Sequence, residues 1–154
     1  MSREFFEQIE DEVRGLLGPS LRGYRAQKSG RLIKLWYRDP SVHFEVQRLS
    51  PRWSPGRGVW IEVGLHLESA SADRNRELLR ELEDRRHLWD ESLRNAACGN
   101  SYGPRGGSWC RISELVEVEE LDDPESASEA AEKLALYVRA LKPAVDLVEK
   151  LRAG

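Results

Sequence analysis

The chain has only two cysteines, one methionine and three histidines in 154 residues. No apolar run approaches the roughly 20 residues that a membrane-spanning helix needs. Cys98 and Cys110 have eleven residues between them and no Cys-x-x-Cys or histidine spacing, which fits neither a zinc motif nor a disulfide framework. Both are expected as reduced thiols. The opening residues, Met1 to Glu7, mix phenylalanine with acids and do not read as a secretion signal, so the expected compartment is the cytoplasm. Repeats and low-complexity tracts are missing, as is any linker that would split the chain, and one domain over 1–154 is expected.

Motifs of enzymes are also scarce. No Gly-x-Ser-x-Gly elbow occurs, and neither cysteine stands at a helix start where its thiolate would be stabilised. Gly103 to Ser108 is glycine-rich but lacks the Lys-Ser/Thr ending of a phosphate loop and precedes a strand rather than a helix. Asp39 followed by Glu45-Val46-Gln47 resembles the Asp…Glu-x-Lys arrangement of metal-dependent nucleases only in its carboxylates. Gln47 takes the lysine's place, and the six-residue spacing is too short to bring the aspartate in from a separate strand. No catalytic residue, metal ligand or cofactor is therefore assigned from sequence, and the balance leans away from an enzyme.

What is present is strong patterning. Phe5, Phe6, Ile9, Val13, Leu16 and Leu17 fall on one helical face, with Gly18-Pro19 as the stop. The period then drops from 3.6 to 2. Tyr24–Lys28, Arg31–Arg38, Val42–Gln47 and Val59–Glu68 read as four strands of an antiparallel meander, separated by turns at Ser29-Gly30 and Asp39-Pro40 and a Pro/Gly loop over 50–58. A second helix is expected over Asp73–Leu93, a mobile loop over Asn95–Ser108, and a fifth strand over Trp109–Glu119 with a bulge near Glu114-Leu115. Asp122-Asp123-Pro124-Glu125 starts a last helix that Pro143 is expected to kink or split. Strands joined by tight turns cannot be parallel. The fold class is α+β, an antiparallel sheet of about five strands with three helices on one face.

Alternation also sorts side chains between the two faces of the sheet. Val42, Phe44 and Val46 share the helix-covered face with Val59, Ile61, Val63, Leu65 and Leu67. The other face receives His43, Glu45, Gln47, Trp60, Glu62, Gly64, His66 and Glu68. Three registers keep these faces intact. Setting His43 against Glu68 and Glu45 against His66 makes two favourable pairs; setting His43 against His66 is a second choice; setting Glu45 against Glu62 is disfavoured by like charge. In each, two histidines and two or three glutamates share one patch. A metal site or a general acid–base pair is conceivable there, but side chains on a flat strand pair stand parallel rather than converging. The alternation further expects Val63→Asp to unfold the chain and Glu62→Lys to be tolerated.

Charge is uneven along the chain. Arg22 to Arg57 carries nine bases and two acids, and Glu114 to Glu149 eleven acids and three bases. With Tyr24, Trp36, Tyr37 and Trp53 interleaved, the basic segment suits phosphate contacts and base stacking, although a pI near 5.7 points instead to neutralisation by the acidic helix or a partner. The order helix, four strands, helix, one or two strands, helix is similar to that of the type III secretion chaperone-like domains, including YbjN-type proteins. That resemblance, carried by element order alone, implies dimers that bind other polypeptides. The expected function is accordingly a non-enzymatic module, a homodimer, that contacts a protein or peptide through Trp36, Arg38, His43, Glu45, Trp60, Glu62, His66 and Glu68. A nucleic-acid-associated protein using 22–57 is the alternative, and a metal-dependent hydrolase at the His/Glu patch the third.

Overall fold

The structure, a computed structural model, describes residues 2–103 and 107–153. Helix α1 (Ser2–Leu16) leads into β1 (Arg25–Lys28), β2 (Leu32–Trp36), β3 (Val42–Arg48) and β4 (Val59–Leu67); α2 (Ala72–Asp84), β5 (Ala97–Tyr102), β6 (Trp109–Val118) and α3 (Pro124–Ala153) complete the chain. All pairings are antiparallel, in the order β1-β2-β3-β4-β6-β5. This is the α+β architecture expected from the change of period, with one strand more than the five expected.

The sixth strand corrects the reading of Asn95–Ser108 as a loop: residues 97–102 pair with β6, and the irregularity lies between Gly99 and Tyr102. Only 104–106 of the glycine-rich segment lie outside the described residues. The bulge expected at Glu114-Leu115 is absent, because Glu62↔Leu115 and Val63↔Glu114 continue the β4–β6 ladder without a shift. Helix α2 also ends sooner than its apolar stripe suggested. Trp89 folds back, and its indole N–H donates to the Leu82 carbonyl at 2.9 Å, satisfying a helix-terminal acceptor while burying the ring. Pro143 does not split α3, which runs for 30 residues.

The core lies between the sheet and the three helices. Phe5, Phe6, Ile9 and Val13 of α1 and Leu134, Val138, Leu141 and Val148 of α3 are buried against Ile33, Leu35, Phe44, Val46, Ile61, Val63 and Leu65. Small residues on α3 (Ala127, Ala130, Ala131, Ala135) are buried too, which lets the helix approach closely. Glu114 is a buried polar residue of the sheet on this side, accepting from the Tyr137 hydroxyl at 2.9 Å and facing Lys133 Nζ at 3.3 Å.

The β3–β4 register sets His43 directly opposite His66, rather than opposite Glu68. Parity cannot separate these two arrangements, since each keeps the apolar residues on one face. The connection decides it: Leu49 N–H donates to Trp60 O at 2.9 Å at one end of the pair, and Glu68 N–H to Ser41 O at 2.7 Å at the other. Gly64 lies between Glu45 and Ser113 in the ladder. A Cβ there would meet Ser113 Cα at 2.5 Å and the Ile112 carbonyl oxygen closer still. Gly64→Ala should therefore cost about 3 kcal/mol, the upper end of overpacking penalties, measurable as a lowered urea midpoint with little change in slope.

Candidate metal centre

On the sheet face away from the core helices, four of the face residues converge. His43 and Glu45 come from β3; His66 comes from β4 and Glu68 from the position just past its end. His43 Nε2 lies 3.0 Å from Glu45 Oε1 and 3.7 Å from Glu68 Oε1. His66 Nδ1 lies 3.0 Å from Glu68 Oε2 and 3.8 Å from Glu45 Oε1. With each residue offering one donor atom, all four donors fall within 4.8 Å of one another. Metal bonds of 2.0–2.1 Å in a tetrahedron place donor atoms about 3.3 Å apart, in the middle of the four measured separations.

The expectation that strand side chains stay parallel fails for a geometric reason. The imidazoles are direct cross-strand neighbours, with ring centroids 5.4 Å apart and planes tilted by 39°. Glu45 and Glu68 stand two residues along from them, at diagonal corners of the pair. Side chains lean along their strands, and glutamate is long enough for both carboxylates to lean in over the rings.

Each ring is also held from outside. His43 Nδ1 lies 2.9 Å from the Pro40 carbonyl oxygen, a contact that places a proton on Nδ1 and turns the Nε2 lone pair inward. His66 Nε2 lies 3.0 Å from Glu62 Oε1. Glu62 is in turn fixed by Gln47 Nε2 at 2.6 Å, Arg111 Nη1 at 2.6 Å and Ser113 Oγ at 2.9 Å. Burial alone would raise the Glu62 carboxyl, but His66, Arg111 and Gln47 hold it down at about 2. Burial likewise opposes a charged His66, yet the Glu62 and Glu68 carboxylates and the charge of Glu45 push it up to about 9. With Arg111 matched to Glu62, the carboxylates of Glu45 and Glu68 face the two inner nitrogens.

The face is not open at this point. The side chains of His43, Glu45 and His66 are 2%, 5% and 1% exposed and that of Glu68 12%; Glu62 is as buried as His66. Trp36 and Trp60 are half-buried and Arg38 is exposed in the turn after β2. None of these three belongs to the four-residue cluster. Arg111 and Ser113 were missed because their face depends on β6 lying against β4. Once that pairing is known, the alternation Arg111, Ser113, Leu115 places them beside His66 and Glu62. Asp39 is engaged locally, accepting from the Ser41 N–H and hydroxyl at 2.9 and 2.8 Å, and it does not join the carboxylates. Neither Cys98 nor Cys110 forms a disulfide; burial raises both thiols above their ordinary range.

No protein-family model, curated protein or solved structure matches the chain.

Proposed function

We propose that this protein binds one divalent transition-metal ion through His43, Glu45, His66 and Glu68. One observation carries the assignment. The outer nitrogen of each histidine is engaged by a fixed oxygen, Pro40 O for His43 and Glu62 Oε1 for His66, while the inner nitrogens each face a carboxylate oxygen at 3.0 Å. A proton on His66 answers Glu62 and Glu68 but leaves His43 Nε2, whose Nδ1 proton is spent on Pro40 O, facing Glu45, whereas a divalent cation answers both inner contacts and balances Glu45 and Glu68 together. The outer contacts are those that orient imidazole ligands in metal proteins.

The donor set of two nitrogens and two oxygens suits zinc or another first-row divalent ion. Calcium wants six to eight oxygens, and copper(I) prefers thiolate or thioether ligands. With three of the four ligands almost wholly buried, the centre favours retention of an ion over open hydrolytic chemistry. Protein purified without chelator or histidine tag is expected to carry about one such ion per chain, and His43→Ala/His66→Ala to carry none, by elemental mass spectrometry. Wild-type protein that stays metal-free after incubation with zinc, manganese and iron(II) would sink the assignment.

The same face also supports contact with a protein partner or a second copy. Leu115 is 45% exposed and pairs with Glu62 in the ladder, diagonal to the half-buried Trp60, and exposed apolar surface of this kind is what partners cover. Leu115→Glu should then shift the solution mass toward the monomer in light scattering; a mass already monomeric in the wild type would remove self-association.

A further inference from the structure

We infer that the outer edge of β6 over residues 114–118 is a docking site for an extended peptide strand whose side chains alternate between apolar and basic. The site does not depend on the metal centre. It follows from where β5 stops: β5 pairs with β6 only as far as Ala97↔Ser113, whereas β6 continues to Val118.

The phase of the ladder determines which backbone groups are left over. Leu49 N–H donates to Trp60 O and Glu68 N–H to Ser41 O. Even-numbered residues of β4 therefore turn their backbone groups to β3, and odd-numbered ones turn theirs to β6. Those odd residues pair with even residues of β6, as in Ile61↔Val116 and Val63↔Glu114. The N–H and C=O groups of Leu115 and Glu117 consequently point outward, where no strand pairs with them among the described residues. An added strand takes up such a row of donors and acceptors. The opposite edge of the sheet differs. β1 has four residues, all exposed, with Arg25 and Lys28 among them, the short, charged form that discourages pairing.

Beside the β6 edge a groove of about 400 Å³ opens between the sheet and α3, lined by Ile61, Val116, Val118 and Leu136 with the exposed Glu129 and Glu132. Directly opposed side chains of an antiparallel pair share a face. A residue set opposite Val116 would thus enter the groove, and residues opposite Leu115 and Glu117 would lie on the other face. Charge then selects the occupant. Glu117 and Glu119 are exposed along the edge, and Lys133, the base lining the groove, already faces Glu114 at 3.3 Å. A second copy pairing β6 with β6 about a two-fold axis would bring these acids together, which like-charge repulsion opposes. A strand with apolar residues for the groove and lysine or arginine between them matches both surfaces.

Fluorescence polarisation of the full chain with a labelled Lys-Val-Lys-Val-Lys-Val peptide tests this. The alternating peptide should bind about tenfold more tightly than Lys-Lys-Lys-Val-Val-Val, which has the same charge but no alternation. With valines in the groove, the lysine N–H groups are those that face β6. N-methylation of the lysines should then cost about tenfold or more, and N-methylation of the valines little. Leu115→Pro should also lose about tenfold, with an unchanged circular dichroism spectrum, because a sheet edge tolerates proline where the N–H has no strand partner. The N-methylated peptides act on the wild-type chain and decide the matter even where Leu115→Pro fails to fold. Absence of binding, equal binding of the alternating and block peptides, or indifference to the lysine methyl groups would overturn the site. Slow amide exchange at Leu115 and Glu117 in peptide-free protein would overturn it too, by showing the edge already taken by a second copy.

Discussion

Glu62→Lys is expected to remove most of the folding stability, on the order of 5 kcal/mol, which is the whole margin of a marginal domain. The substitution takes the carboxylate away from Arg111, Gln47, Ser113 and His66, all within 3.0 Å. It then puts an ammonium beside the guanidinium and the imidazole in a site that is 1% exposed. Alternation alone leads to the opposite expectation, that Glu62 lies on the open face and tolerates lysine. Glu62→Gln keeps the shape and a hydrogen-bonding oxygen while losing the charge, so it should cost only about 2 kcal/mol. Val63→Asp, one residue away on the helix-covered face, should be as damaging as the lysine, since Val63 is wholly buried and nothing there answers a charge. Urea denaturation followed by circular dichroism separates the cases. A Glu62→Lys midpoint equal to the wild-type value would show that the network is not a stabilising element.

Period-2 alternation over Val42–Gln47 and Val59–Glu68 is enough to place His43, Glu45, Glu62, His66 and Glu68 on one face, because side-chain direction in a strand depends on parity alone. Parity does not say how deep that face lies. Burial of these residues comes from neighbours on other strands, such as Arg111 and Ser113 on β6, and strand pairing between residues about 50 positions apart leaves no local trace. Register is silent for the same reason: arrangements differing by two residues share their faces, and only the hydrogen bonds that close the 49–60 connection select between them. Residues 97–102 illustrate the complementary failure. Ala-Cys-Gly-Asn-Ser-Tyr has the composition of a loop and becomes strand because β6 offers it an edge, a tertiary override of weak local preference. Helix α1 and the start of α3 were legible to within a residue or two, since their caps and stripes lie within a few positions of one another.

Metal loading is expected to change both the stability and its pH dependence. In metal-free protein the His66–Glu62 pair supplies stability only while His66 carries a proton. Its folded value of about 9 lies above the unfolded value of about 6.5. The contribution is therefore complete below about pH 6.5 and is lost as the pH rises through 9. Seen from the other partner, Glu62 is depressed to about 2, so the same contribution also fades as the pH falls from about 4.5 through 2. The metal-free chain should thus be most stable between about pH 4.5 and 6.5 and lose on the order of 3 kcal/mol by pH 10. A bound divalent ion replaces that proton with a charge that alkali does not remove. At a free metal concentration about a thousandfold above Kd the ion adds about 4 kcal/mol, which for a chain of this size raises Tm by roughly 10 °C. Because the ion and the proton compete for the same nitrogen, the difference in Tm between loaded and metal-free protein should widen from pH 6 to pH 9. Calorimetry with and without one equivalent of zinc across that range gives the answer. A gap that is absent at every pH, or that narrows as the pH rises, would mean that no ion displaces the proton at His66.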